Sequence, residues 1–282
     1  MKAKKLLNIV LGLSVLGLTT TLTSCGSDAL YIAVSPDYAP YEFIDSTKTG
    51  QAKYVGSDVQ LAKYIGEKLG KEVVIDAMAF DQTLINLQAG KDDLAISGFT
   101  YKEDRAANFE MSNSYYDDGE GDQIVIVLKS TYDNGYKTIE SLNKKEIVVG
   151  AQVASVQEEL VQTQMTSATI SNHASITDMI TYLKSGDLDA IAISSKAYES
   201  INDPEIVCTD DCFVTEDTGL YVLAKKGNTE LMDQVNEVIS EVKEKNLYVQ
   251  WLQEAIQLKE NLGDAALESI PESTTPSNKE NN

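Results

Sequence analysis

Short apolar runs alternate along this chain with amphipathic stretches that end in glycine. Leu30 to Val34, Val73 to Ile75 and Leu94 to Ile96 read as buried strands. Between them, Ser57 to Leu69 sets Leu61, Ile65 and Leu69 on one helical face, behind the cap Gly56-Ser57-Asp58 and ahead of the stop at Gly70. Phe80-Asp81 opens a second helix, with Leu84 and Leu87 inward and Gly90 at its end. Strand and helix in alternation predict an α/β fold with a mostly parallel sheet covered on both faces. Ligands of such sheets sit beyond the carboxyl ends of the strands.

The pattern then starts again. After the acidic, Gly-rich run Asp117 to Asp122, read as a crossing between two lobes, Gln123 to Leu128 and Ile147 to Val149 are strands, and Gly150 to Ala154 is a loop. Leu84, Leu87, Gly90 and Asp93 recur in spacing as Ile180, Leu183, Gly186 and Asp189, which aligns Ser194 with Gly98. Asn202 to Asp211 reads as a loop and an edge strand, and Thr215 to Gly219 as the return crossing. One lobe is therefore expected from 30–118 with 215–260, the other from 119–214. A helical stretch from Glu230 to about Leu258 packs on the first lobe with Trp251 in its core. From 261 to 282 the composition predicts a disordered tail.

Two loops carry candidate chemistry. After Leu94 to Ile96, the turn Ser97-Gly98 leads through Phe99 to Thr100 and Glu103, the T-x-x-E pattern of a capping box, with Arg105 in the first turn. After Gly150 to Ala154, Ser155-Val156-Gln157-Glu158 repeats the device as S-x-x-E. Helix N-termini offer free N–H groups and a positive dipole end, and a guanidinium adds a fork of donors, so the pair predicts a clamp for a carboxylate. The competing reading is a capped surface helix whose arginine pairs with a neighbouring acid. Ser35 to Phe43 follows the first strand with two prolines and three aromatics. Tyr38 at its crest suits ligand contact, whereas Tyr41 and Phe43 suit core.

Charge and cysteines narrow the function. Of 282 residues, 44 are acidic and 23 basic, which argues against a nucleic-acid partner. Met1 to Leu22 joins Lys2, Lys4 and Lys5 to an apolar run from Leu6 to Leu18, as a secretory signal does. Leu22-Thr23-Ser24-Cys25 resembles a bacterial lipobox, so residues 1–24 are expected to be removed, Cys25 to carry lipid such as palmitate, and 25–29 to form a tether. Loss of three lysines takes the formal charge from −21 to −24. Cys208 and Cys212 would then lie outside the cytosol, where a disulfide is permitted but not required. Their spacing lacks the second ligand pair of a zinc site, and Asp210 with Asp211 reads as solvated, so no metal is expected.

Ser35-Pro-Asp-Tyr-Ala-Pro-Tyr-Glu-Phe43, Val55 to Ala62, Leu87 to Gly90 with Ile96 to Gly98, Arg105 with Phe109 and Ser114 to Tyr116, and Gly150 to Glu159 follow in order behind the lipobox. Over Tyr31 to about Leu258 the chain resembles the extracytoplasmic amino-acid-binding proteins of ABC importers, solute-binding family 3. The resemblance implies a two-lobed periplasmic-binding fold of type II with two chain crossings. It implies a monomer at the outer face of the cytoplasmic membrane that delivers an amino acid to a permease. It also implies that Arg105 and the N–H groups of Thr100 and Val156 hold the α-carboxylate, beside Ser97 and Ser155. The Gly98 carbonyl, the Thr100 hydroxyl and an Asp at the position of Ser194 would hold the ammonium. Ser194 departs from that pattern; Asp37, ahead of Glu158, is the expected substitute. Tyr38, Phe80 and Phe99 are expected to line a side-chain pocket, which favours neutral or aromatic ligands. No cofactor is expected, and no HExxH, P-loop or GxSxG motif marks an enzyme, His173 standing alone in a polar loop. A ligand-sensing adaptor on the same fold is the alternative, and dehydratases on this fold are the enzymatic one.

Overall fold

The computed structural model describes residues 29–117, 122–215 and 217–263. Its first lobe runs β1 (Leu30–Val34), β2 (Asp37–Tyr38), β3 (Glu42–Ile44), β4 (Tyr54–Val55), α1 (Ser57–Leu69), β5 (Val73–Ala77), α2 (Phe80–Ala89), β6 (Leu94–Ala95), α3 (Glu103–Asn108) and β7 (Phe109–Met111). The second holds β8 (Gln123–Leu128), α4 (Lys129–Asp133), α5 (Ile139–Leu142), β9 (Val148–Gln152), α6 (Val156–Gln164), β10 (Thr169–His173), α7 (Ile176–Ser185), β11 (Ala190–Ser194), α8 (Ser195–Glu199) and β12 (Ile206–Cys212). The chain returns to the first lobe through β13 (Leu223–Lys225) and closes with α9 (Thr229–Glu244) and α10 (Leu247–Leu262).

Each lobe is built on a five-stranded sheet, in the orders β5-β1-β6-β13-β7 and β10-β9-β11-β8-β12. Each sheet is mostly parallel, as expected from strand and helix alternation. Four of the five strands in each run the same way, whereas β13 and β8 run antiparallel to both neighbours. These are the strands by which the chain enters each lobe from the other, so no helical crossover dictates their direction.

The spacing repeat has a structural counterpart. Gly90 and Gly186 end α2 and α7 in left-handed conformation, and Leu87 and Leu183 are fully buried. Asp93 Oδ2 accepts from Tyr31 N at 2.9 Å, and Asp189 Oδ2 accepts from Val148 N at 2.8 Å. Each aspartate thus ties the loop after a helix to the start of a parallel strand.

Ile32, Leu61, Ile65 and Leu94 form the first core together with Val235, Ile239 and Leu252 of α9 and α10. In the second lobe, alternate residues of β8 face opposite layers, Val125 and Val127 one way, Ile124 and Ile126 the other. The helical stretch 230–258 is two helices, because Asn246 at φ 52° breaks it, a conformation asparagine tolerates. Trp251 is half-buried against Tyr64 at the edge of the core rather than within it. Residues 261 and 262 belong to α10 rather than to a tail, and β9 extends through Gln152 into the expected loop. Cys208 and Cys212 are free thiols on the edge strand β12. The signal, Cys25, the first crossing at 118–121, Glu216 of the return crossing and the chain beyond 263 lie outside the described residues.

Candidate ligand-binding cleft

Strands β1 and β6 of one lobe end towards β9 of the other, and the residues just past those ends line one cleft. Ser35, Asp37, Tyr38, Ser97, Gly98, Thr100, Phe80 and Arg105 contribute from the first lobe, Ser155 and Val156 from the second. The lobes are drawn together: the cleft keeps about 30 Å3 of water-accessible space, room for roughly two waters. A molecule the size of an amino acid therefore enters only when the lobes part.

Thr100 does not cap α3. That helix starts at Glu103 behind Lys102, with no side-chain cap, and Thr100 lies in the loop ahead of it. Its carbonyl instead accepts from Arg105 Nη1 at 2.5 Å. The second start forms as expected, with Ser155 Oγ accepting from Glu158 N at 3.1 Å, while the Glu158 carboxylate reaches back to Ala154 N at 2.7 Å. Arg105 Nη2 donates to the Ala154 carbonyl at 3.0 Å, so one guanidinium touches the loops of both lobes.

Arg105 is buried, which excludes the reading as a surface helix residue. Among the described residues no carboxylate pairs with it, and its Nε has no hydrogen-bond partner. Burial lowers its pKa to about 10, so it stays charged at neutral pH. Phe99 packs 5.2 Å below the guanidinium, 4.9 Å from the Phe80 ring. Phe99 is thus not a wall of the cleft: it is fully buried with Ala33, Leu87, Phe109 and Leu223, because the turn at Gly98 directs it into the first lobe's core.

The acids behave differently from one another. Asp37 reaches across the cleft, its Oδ2 accepting from Ile176 N at 2.9 Å at the start of α7 and from Gln152 Nε2 at 3.4 Å, its Oδ1 from Ser35 Oγ at 3.1 Å. Burial pushes its pKa up to about 6. Glu158 is committed to Ala154 N and Asn172 Nδ2. Ser194 ends β11 and caps α8, accepting from Ala197 N at 3.1 Å and from Tyr38 OH at 2.6 Å, so it meets the cleft only through that tyrosine.

Two acids were missed in the sequence. Glu42 lines the cleft fully buried; its Oε1 accepts from Ser97 Oγ at 2.7 Å and its Oε2 has no donor. Behind it, fully buried Asp58 accepts from Gly98 N at 2.8 Å and from the hydroxyls of Tyr248 at 2.5 Å and Tyr115 at 2.9 Å. A first-turn acid reads as a surface cap, and nothing near Asp58 in sequence reveals the tyrosines. Glu42 did carry a signal, an acid inside the otherwise apolar run from Tyr41 to Ile44.

Two α/β lobes joined by a chain that crosses and returns, with a buried polar cleft between them, define a two-lobed periplasmic binding protein. The chain belongs to the bacterial extracellular solute-binding proteins, family 3, whose profile matches residues 30–254. It is 27% identical to the arginine-binding extracellular protein ArtP of Bacillus subtilis over 241 residues, 80% of this chain and 89% of ArtP. Among solved structures it resembles the amino acid ABC transporter substrate-binding protein AbpA of Streptococcus pneumoniae bound to L-arginine. The TM-score is 0.74 and the identity 32%, over 86% of this chain and 97% of that one. It is also similar to the ancestral amino acid-binding protein AncCDT-1, a precursor of cyclohexadienyl dehydratase, with TM-score 0.72 and 26% identity over 81% of this chain and 96% of that one.

Proposed function

We propose that this protein captures an amino acid with a cationic side chain between its lobes, outside the cytoplasm, and delivers it to the permease of an ABC importer. One observation carries the reading. The cleft holds two buried polar atoms without partners, a donor at Arg105 Nε and an acceptor at Glu42 Oε2. A carboxylate complements the first and an ammonium or guanidinium the second.

Charge supports a cationic side chain over the neutral or aromatic one that the rings suggested. Asp37 contributes one negative charge at neutral pH, and Glu42 with Asp58, two acids too close to ionise together, contribute one more. Arg105 offsets one of these, leaving the cleft net negative, which favours a basic amino acid over a zwitterion. The arginine-binding name of ArtP and the L-arginine bound to AbpA agree with this.

In this reading Arg105, with the N–H groups of Thr100 and Val156, holds the α-carboxylate, and the Gly98 carbonyl, the Thr100 hydroxyl and the acids receive the cations. Ser97, Ser155, Tyr38 and Phe80 shape the wall. Closure is differential affinity: ligand touching both lobes favours the closed form, which the permease recognises. Residues 30–118 with 215–260 and 119–214 act as the two moving bodies, and Cys25 tethers a monomeric protein to the membrane by lipid. In this reading the protein binds and releases its ligand without chemistry.

The test is a thermal-shift screen of the free amino acids with Arg105→Ala as control. Arginine or lysine is expected to raise the melting temperature by several degrees in the wild type and not in the variant. A shift with neutral amino acids alone overturns the cationic assignment. Flat curves throughout overturn amino-acid capture.

A further inference from the structure

The acids beneath the cleft form an arrangement that capture of an amino acid does not by itself require. Asp58 is surrounded by donors: Tyr248 OH, Tyr115 OH and Gly98 N all point at its carboxylate. Glu42 has only Ser97 Oγ, which donates to Oε1 while accepting from Ser35 N at 3.0 Å. The two carboxyl groups lie within hydrogen-bonding reach of one another. From the surrounding elements they face Asp37 and Tyr38 of β2, Tyr115, and Tyr248 of α10, and no lysine, arginine or histidine pairs with either among the described residues.

Two fully buried carboxylates in contact without a cation cannot both be charged. The donors decide which one is. Asp58, with its full set, keeps the charge. Glu42 keeps a proton, which turns its orphan Oε2 into a donor to Asp58 and removes the unsatisfied acceptor. Burial and the Asp58 charge both hold the Glu42 pKa well above the usual carboxylate range. Glu42 is also the member of the pair that reaches the cleft.

We propose that Glu42 and Asp58 share one proton while the cleft is free of ligand, and that an arriving cationic ligand displaces it, coupling capture to release of a proton into solvent. The proposal rests on the cleft being a site for a basic amino acid. The cation's N–H replaces the O–H as partner to the pair, and Glu42 ionises as the ligand's charge takes over from the proton's. Asp37 is separable by pH, because with a pKa of about 6 it is already ionised at pH 7.5.

The experiment is isothermal titration of the whole soluble protein with L-arginine at pH 7.5, in phosphate and in Tris, whose ionisation enthalpies differ. About one proton is expected to leave per arginine bound, and affinity is expected to rise roughly tenfold per pH unit above pH 7. Glu42→Gln, which keeps the hydrogen bonds but has no proton to lose, is expected to release none. An infrared carboxylic-acid C=O band should be present in the ligand-free wild type, absent in Glu42→Gln, and abolished by arginine. A merely structural role for Glu42 moves neither the proton count nor the band. Arginine binding without proton release overturns the coupling alone, and so does undiminished release from Glu42→Gln. A wild type lacking the band overturns it whether or not the variant folds. Absence of arginine binding sinks the basic-amino-acid reading and the coupling with it.

Discussion

The hydroxyl of Tyr38 donates to Ser194 Oγ at 2.6 Å, joining the loop after β1 in one lobe to the cap of α8 in the other. The bond exists only while the lobes are together, so it belongs to the closed form. Tyr38→Phe removes it and leaves the Ser194 cap intact. The closed form is expected to lose about 1 kcal/mol, roughly a fivefold shift towards open. Small-angle scattering of the ligand-free protein should show a larger radius of gyration, and the dissociation constant should rise by up to the same factor. An unchanged radius with unchanged affinity would dismiss this contact as a latch.

Arg105 occupies both sides of the cleft through Thr100 and Ala154. Lysine carries the charge but not the fork, so Arg105→Lys is expected to lose nearly as much affinity as Arg105→Ala. Two charge-assisted hydrogen bonds at about 1.5–3 kcal/mol each correspond to at least a hundredfold weakening, measurable by calorimetry. Retention of wild-type affinity in Arg105→Lys would show that charge alone suffices.

Asp37 has a folded pKa of about 6 against an ordinary value of 3.8, burial being the main cause. A folded pKa above the unfolded one means that the native state holds the proton longer. The stabilisation this brings is complete below about pH 4 and is lost as pH rises through 6. Denaturation of wild type and Asp37→Asn between pH 4 and 7.5 should give a difference that tilts towards the wild type on acidification. The expected slope is on the order of 1 kcal/mol per pH unit inside that window. Parallel curves would place Asp37 outside the linkage.

Gly98 sits at φ +57°, and a Cβ there would lie 2.7 Å from Tyr38 Cε1. Gly98→Ala therefore meets backbone strain of about 1–2 kcal/mol and a ring that must move. The expected result is lower stability and a loss of affinity larger than that of Tyr38→Phe, because the displaced ring gives up its bond to Ser194 and alters the wall. Melting and titration of the two variants side by side test the order.

Much of this protein is written locally. Gly70, Gly90 and Gly186 stop helices because a left-handed residue without a Cβ closes the last turn. Ser155 caps α6 through an N–H three residues away, and the shared spacing of Asp93 and Asp189 was a true sign of two similar lobes. Thr100 shows the limit of such reasoning. Its T-x-x-E pattern is as good as that of Ser155, yet the Arg105 guanidinium takes its carbonyl and the helix begins three residues later.

Local sequence was enough for where helices stop, which loops follow the strands, and that an arginine stands beside one of those loops. These rest on φ preference, periodicity and capping, which act within a few residues. Tertiary structure alone decided that Phe99 lies beneath the guanidinium rather than in the wall, and that Glu42 and Asp58 meet out of water. Ser97 is 55 residues from Glu42, Tyr248 is 190 from Asp58, and Ser194 is 156 from Tyr38. The cost of burying a carboxylate depends on which donors the fold brings to it, and that is settled only when both lobes and the returning helices are in place.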